Sequence, residues 1–461
     1  MTLNKNDKYY YPVTPQTLHN YAASVFSPLR RGECVTTVWV PMAGRRMWNK
    51  FLIENIDLFE TELPEFPKYI FAYIEPLDLT EESFSGYLRL MGKSILSACR
   101  EHTNSQKIDG SSLNVSIFDD ETASYTKLLD TLKAYLKKIV DSGFELVLFL
   151  GEFDELNFAT AIFYNNLRSL WGSFSSSLHY IFLMREEVTK KEKITLWGDF
   201  SEVLLQNIVY IPLLDSPDFN YSFDRITMEF GITAEPEYKK VIEELCGGHP
   251  YMLKVCLKVI TKLDGQKLSP SELEKLLSDH YELQSVSQGI FEVHSDETKA
   301  VIRKVARGKP LTESDKWSID FLSKLRLIIP TDNGQYKLFG KLFGQTIAGF
   351  SEGHEHARQD HQGLKIEDET GAVLMNGQTV EEKFTHQEYA ILTMFLQKAN
   401  HLCTRDDIGE ALWGKESYEK YSEWAIDQLM SKLRRKLAAL GVRDNLTTVR
   451  GKGYKFITAS S

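Results

Sequence analysis

Cysteine, long apolar runs and net positive charge are all scarce in this chain of 461 residues. The five cysteines (Cys34, Cys99, Cys246, Cys256 and Cys403) are scattered and never spaced as CxxC. That excludes a disulfide framework or a cysteine zinc site, and fits buried reduced thiols of a cytoplasmic protein. No apolar run reaches the roughly 18 residues that a membrane-crossing helix needs. The longest, LVLFL within Phe144–Phe153, has the length of a strand. The opening MTLNKNDKYYYP holds no apolar signal-peptide core. A formal net charge of −10 excludes a histone-like polycation, while 43% hydrophobic residues suffice for packed cores.

What is present begins with alternation. ECVTTVWVP, KYIFAYIEP, FELVLFLGEFDEL and LHYIFLMREE are short, continuous apolar runs. Helically spaced segments separate them, among them MAGRRMWNKFLIENIDLF and ETASYTKLLDTLKAYLKKIVDSG. Continuous apolar strands alternating with helices predict an α/β domain with a parallel sheet covered on both faces. Residues 1–30 are expected to wrap this domain, and Thr103–Asp120 to form an exposed loop. From Ser222 to Leu283 the spacing is helical, with two helices meeting at Gly247-Gly248-His249-Pro250. Residues 286–350 read as a small helical domain whose wing turns at Asn333-Gly334. GFSEGHEHARQDHQG is polar and non-periodic, hence a linker, with an r.m.s. reach of roughly 20 Å. Its His354, His356 and His361 are read as linker residues, and no metal site is expected.

The last hundred residues carry the sharpest pattern. In YSEWAIDQLMSKLRRKLAALGVRDNLTTVRGKGYKF, residues Ala425, Ile426, Leu429, Leu433, Leu437 and Leu440 recur at helical spacing. The other face carries Lys432, Arg434, Arg435 and Lys436. Thr447, Val449, Tyr454 and Phe456 flank a Gly-rich hairpin tip, Gly451-Lys452-Gly453. Gln428–Lys455 holds eight Lys/Arg against one acid, whereas Lys365–Asp427 holds six against thirteen. A basic helix followed by a basic hairpin can fill a major groove and reach the neighbouring backbone. On spacing alone, a solvated basic helix remains open.

These residues resemble the OmpR/PhoB-type C-terminal effector domain of bacterial transcription regulators, over about Leu364 to Ala459. The resemblance includes the opening strands LKIEDETGAVLMNGQTVEE, the helix FTHQEYAILTMFLQKAN and the segment TRDDIGEALWG. It extends through the recognition helix AIDQLMSKLRRKL and the wing TVRGKGYKF. It places Asp427, Leu433, Arg434 and Leu437 on the recognition-helix pattern, and Thr448 and Arg450 on wing contacts. Glu423 and Trp424 stand where the family often has a basic residue. Gln428 and Ser431 stand where it commonly has Val and Arg, so the target sequence does not transfer. Asp427 is read as a helix-start or intradomain partner rather than a base reader. Expected DNA contacts are Trp424, Gln428, Ser431, Lys432, Arg434, Arg435, Thr448, Arg450 and Lys452.

The first 280 residues resemble, less specifically, a P-loop ATPase domain of the AAA+/STAND kind. The likeness rests on strand order, LVLFLGEFDEL, the strand ending at Arg185 and the GGHP junction. In that family the third strand ends in Asp-Glu; here Gly151 and Glu152 stand there. The phosphate loop needs G-x-x-x-x-G-K-[ST], because backbone N–H groups, a Lys and a hydroxyl together hold phosphate and Mg²⁺. Aligning AGRRMWNK puts Trp48 at the second Gly, where it should fill the phosphate space, and Asn49 at the Lys. Lys50, one place on, could rescue a charge. The expectation is a scaffold without ATP hydrolysis, no enzyme and no bound cofactor. Gly44, Arg45, Arg46, Lys50 and Glu152 are then the remnants of a nucleotide site. Arg185-Glu186-Glu187 is expected to be a solvated strand end.

The expected organisation is thus an ATPase-like α/β domain (1–220), a helical lid (221–285) and a small winged helix (286–350). A linker (351–363) and an OmpR/PhoB-type winged helix (364–461) complete it. The expected function is a sequence-specific, cytoplasmic transcription regulator that binds double-stranded DNA as a homodimer. A protein partner or RNA polymerase is an open further partner, and no membrane is involved. The alternative is an origin-recognition-like or STAND ATPase that grips DNA in replication, transposition or defence.

Overall fold

The computed structural model describes residues 13–102, 115–232, 235–263 and 267–349. Beyond them it describes 364–366, 373–375, 378–380, 384–413, 423–440, 442, 445–449 and 453–457. The chain forms two compact units, Met1–Ile347 and Ala348–Ser461.

The first unit is built on a five-stranded, all-parallel sheet, in the order β2-β3-β4-β1-β5. Its strands are β1 (Val35–Trp39), β2 (Tyr69–Ile74), β3 (Glu145–Leu150), β4 (Leu178–Met184) and β5 (Ile208–Ile211). Every residue of β1 and β4 is buried, as expected of strands covered on both faces. The fifth strand was not foreseen. It is an edge of four residues, three of them only half-buried, so it carries no continuous apolar signal.

Helices α1 (Pro15–Leu29), α2 (Arg45–Glu54), α3 (Phe84–Glu101), α4 (Tyr125–Asp141) and α5 (Ala161–Ser173) accompany the sheet. Shorter α6 (Lys191–Trp197) and α7 (Ser201–Leu204) precede β5. Within the expected wrap, α1 starts at Thr14, whose side chain accepts from the Thr17 N–H, and buries Tyr21, Ala22, Val25 and Phe26. The expected exposed loop needs correction at its end. Val115–Asp119 is a 3-10 turn that buries Ile117 and Phe118. It packs on Gly92, where a Cβ would lie 2.4 Å from the Phe118 ring.

Helices α8 (Ser216–Phe230), α9 (Pro236–Cys246), α10 (Pro250–Thr261), α11 (Pro270–Ser278) and α12 (Tyr281–Glu292) follow. Then come α13 (Asp296–Ala306), α14 (Lys316–Lys324), the antiparallel hairpin β6 (Ile328–Pro330) and β7 (Tyr336–Leu338), and α15 (Lys341–Gly349). Three backbones converge on the α9–α10 junction. A Cβ on Gly247 would stand 1.8 Å from the Phe339 carbonyl, and one on Gly248 2.2 Å from that of Leu214. His249 spans 2.9 Å from Nε2 to the Pro41 carbonyl, just past β1. Its Nδ1 accepts from the Met252 N–H, so the proton sits on Nε2.

The second unit opens with β8 (Leu364–Ile366), β9 (Val373–Met375) and β10 (Gln378–Thr379), paired antiparallel. Next come α16 (His386–Gln397), β11 (Leu402–Cys403), α17 (Arg405–Trp413) and α18 (Glu423–Ala439). The hairpin β12 (Leu446–Val449) and β13 (Gly453–Phe456) closes a second sheet, in the order β11-β13-β12. Thr385 and Glu388 form a capping box at the start of α16. Ile391, Phe395, Ile408, Met430, Leu433, Leu437 and Phe456 are fully buried and make the core. The linker with His354, His356 and His361, and the wing tip with Arg450 and Lys452, lie outside the described residues.

Candidate nucleic-acid interface and sheet crevice

In α18 the apolar stripe packs inward and the rest of the helix is sorted by its periodicity. Ile426, Leu429, Met430, Leu433 and Leu437 are buried. Ser431 and Arg435 are exposed, and Lys432 and Arg434 half-buried. Positions 424 and 428 continue the register of 431 and 435, but the side chains of Trp424 and Gln428 lie outside the described residues. The Arg434 guanidinium donates to Thr448 Oγ1 on β12 at 2.5 Å. It also lies 5.4 Å from the centre of the Tyr454 ring on β13. Helix and wing therefore form one surface that presents Ser431, Arg435 and Thr448.

Lys436 is not part of that face. Its side chain is 8% exposed and its ammonium sits 2.7 Å from the Glu388 carboxylate, itself 1% exposed. The ring of Phe384 lies 5.7 Å away. Spacing gives the reason: 436 is seven residues beyond 429 and three beyond 433, so it falls on the buried stripe. That stripe was the sequence signal for it.

The second candidate site lies beyond the carboxyl ends of β1, β3 and β4, where ligand crevices open in parallel sheets. Gly44 has φ 89° and starts α2 without a side-chain cap. Arg45 reaches across the strand ends, 3.2 Å from Glu152 and 3.4 Å from the Leu183 carbonyl. Arg46 pairs with Glu75 at the end of β2. Glu152 holds a left-handed φ of 44°, a strained conformation for a non-glycine residue that local contacts must support. Asp154 Oδ2 accepts from the N–H groups of Arg185 and Glu186 at 2.7 and 2.8 Å, which staples the exits of β3 and β4 together. Arg185 pairs with Glu155. Among the described residues, Asp154 Oδ1, Arg185 Nε and the Tyr73 hydroxyl are buried without a hydrogen-bond partner.

Four of the five expected remnants, Gly44, Arg45, Arg46 and Glu152, thus meet, and one does not. The Lys50 side chain is 69% exposed and pairs with Glu54, so it restores no charge to the crevice. Trp48 does not fill the phosphate space either. It is buried 4.3 Å from the Tyr21 ring and 5.5 Å from that of Trp39, on the core side of α2. Asn49 is fully buried and donates to the Arg45 carbonyl. The strand end at Arg185–Glu187 is not solvated, since Glu187 is 6% exposed and burial pushes its carboxyl up to about 7.

Comparison with known proteins divides along the chain. Residues 379–456 match the family described as "Transcriptional regulatory protein, C terminal". An uncharacterized transcriptional regulatory protein of Bacillus subtilis, YvcP, is 32% identical over 73 residues, 16% of this chain and 30% of that protein. The response regulator ArlR of Staphylococcus haemolyticus is 32% identical over 95 residues, 21% of this chain and 42% of that protein. The chain spans less than half the length of these curated relatives. Its C-terminal region is a winged helix of the OmpR/PhoB type.

Solved structures align elsewhere. The Aeropyrum pernix ORC2 protein, solved with ADPNP and ADP, shares 14% identity at a TM-score of 0.45 over 75% of this chain and 96% of that one. A Walker-type ATPase of Pyrococcus abyssi shares 14% at a TM-score of 0.42, over 71% of this chain and 95% of that one. The expectation that the chain is no enzyme is corrected by these matches. One of these structures is a Walker-type ATPase, and the likeness itself assigns no activity to this chain.

Proposed function

We propose that this chain is a sequence-specific, cytoplasmic transcription regulator whose C-terminal winged helix binds double-stranded DNA as a homodimer. One observation carries the reading: the outward stripe of α18 and the wing β12–β13 form a single exposed surface, with Ser431, Arg435 and Thr448 on it. Major-groove insertion of the helix, with the wing on the adjacent backbone, fits that shape. Lys432, Arg450 and Lys452 add charge to the same segment, and Trp424 and Gln428 share its register. The 1–347 unit is proposed to receive a signal or a protein partner, RNA polymerase among the candidates. Two chains would then place their readers on repeated half-sites, which multiplies effective affinity.

The test is selection of duplexes from a random-sequence pool by the full chain, followed by binding titrations across salt concentration. Selected duplexes should share a motif, and log K should fall linearly with log salt. Arg435→Ala and Arg450→Ala should each weaken binding by about 1–3 kcal/mol if they touch bases. Light scattering of the saturated complex should give two chains per duplex. Failure to retain any duplex at low salt sinks the reading, and one chain per saturated duplex sinks the dimer.

A further inference from the structure

Within the DNA-binding surface the basic residues of α18 are not equivalent. Arg435 is exposed, whereas the Arg434 guanidinium is already engaged by the wing. Its two partners are cross-strand neighbours, since Thr448 pairs with Tyr454 in the β12–β13 ladder. Directly opposed residues share one face of an antiparallel hairpin. Arg434 thus grips both wing strands at a single rung, one pair before the Val449–Gly453 pair that ends the ladder. Tyr454 is 4% exposed, so the rung is anchored in the core. A second guanidinium, that of Arg405 at the start of α17, stands 5.8 Å from the same ring. Tyr454 is therefore where α17, α18 and the wing meet.

We infer that Arg434 is a positioning residue: it sets the angle of the wing against α18, and the outward stripe through 431 and 435 contacts the DNA. A guanidinium is suited to this, because its plane stacks on an aromatic ring while an N–H points in a fixed direction at a hydroxyl. An ammonium at the same position keeps the charge and loses both geometries. The inference rests on the DNA-binding reading for its functional consequence, and on the wing geometry alone for its structural one.

The experiment uses the full chain, a duplex selected as above, and the variants Arg434→Ala, Arg434→Lys, Thr448→Val and Arg435→Ala. A positioning role makes Arg434→Ala and Thr448→Val weaken binding by similar factors, roughly three- to tenfold. The double variant should be no worse than the poorer single, and Arg434→Lys should fail as the alanine does. The salt slope should stay unchanged in these variants, while Arg435→Ala should lower its magnitude by roughly 0.9 if it loses one phosphate. Without DNA, amide exchange at 447–449 and 453–455 should speed up in Arg434→Ala while that of α16 does not. Rescue by Arg434→Lys together with a lowered slope in Arg434→Ala would make Arg434 a phosphate contact and overturn the proposal. Unchanged wing exchange would overturn it too. If the unmodified chain binds no duplex but wing exchange responds, the DNA reading falls and the brace stands.

Discussion

Lys436 shows how much a single side chain depends on its helical position. Its ammonium and the Glu388 carboxylate are both withdrawn from water, and Glu388 Oε2 also accepts from the Thr385 N–H at 2.7 Å. Removing one partner of such a pair leaves the other charge buried and unmatched, at a typical cost of 3–5 kcal/mol. Lys436→Ala should therefore lower the urea midpoint of the second unit sharply, whereas Arg435→Ala, on the exposed face, should change it by less than about 0.5 kcal/mol. Equal effects of the two substitutions would refute the assignment. A pair replaced on both sides by apolar residues, Lys436→Met with Glu388→Leu, should recover part of the loss.

At the scale of elements, the α9–α10 junction makes the clearest demand. Gly247 has φ 55° and the Phe339 carbonyl lies where a Cβ would go, whereas Gly231 has φ 65° with nothing within 4 Å. Gly231→Ala should cost only the left-handed strain, about 1 kcal/mol. Gly247→Ala should add a clash and cost about 2–4 kcal/mol. The difference between the two denaturation midpoints isolates the packing part, and no difference would deny the close approach. Legibility in the sequence followed burial. Strands β1 to β4 could be read because they are continuous apolar runs, and the edge strand β5 could not because its residues are half-exposed. The GGHP junction was readable as a helix break, but not as a meeting point of Leu214, Phe339 and Pro41, which are distant in sequence. The P-loop pattern singled out Gly44, Arg45, Arg46 and Glu152, which lie together at the strand ends. That Arg45 reaches Glu152, and that Trp48 turns to the core, depends on packing that no local pattern encodes.

Across the whole molecule, pH should act through buried histidines. Burial depresses His249 from 6.5 to about 4 and His294 to about 3. The unfolded chain thus takes up protons near pH 6.5 that the folded chain refuses, so stability falls as pH drops from about 6.5 toward 4. A shift the size of that at His249 is worth about 3 kcal/mol. Burial also raises the Glu187 and Glu292 carboxyls to about 7, which has the opposite sign: those contributions are lost as pH rises from about 4.5 to 7. Unfolding midpoints measured from pH 4 to 8 should show a maximum between these limits, and His249→Gln should flatten its acid side. An acid limb unchanged in that variant would count against His249. The convergence at Gly247–His249 matters beyond the test tube. A gene cut at codon 285 would separate Leu214 and Pro41 from Phe339, leaving each fragment with an unfilled seam. Deletion alleles of the first half should therefore yield insoluble product, and mapping its function will need point substitutions rather than truncations.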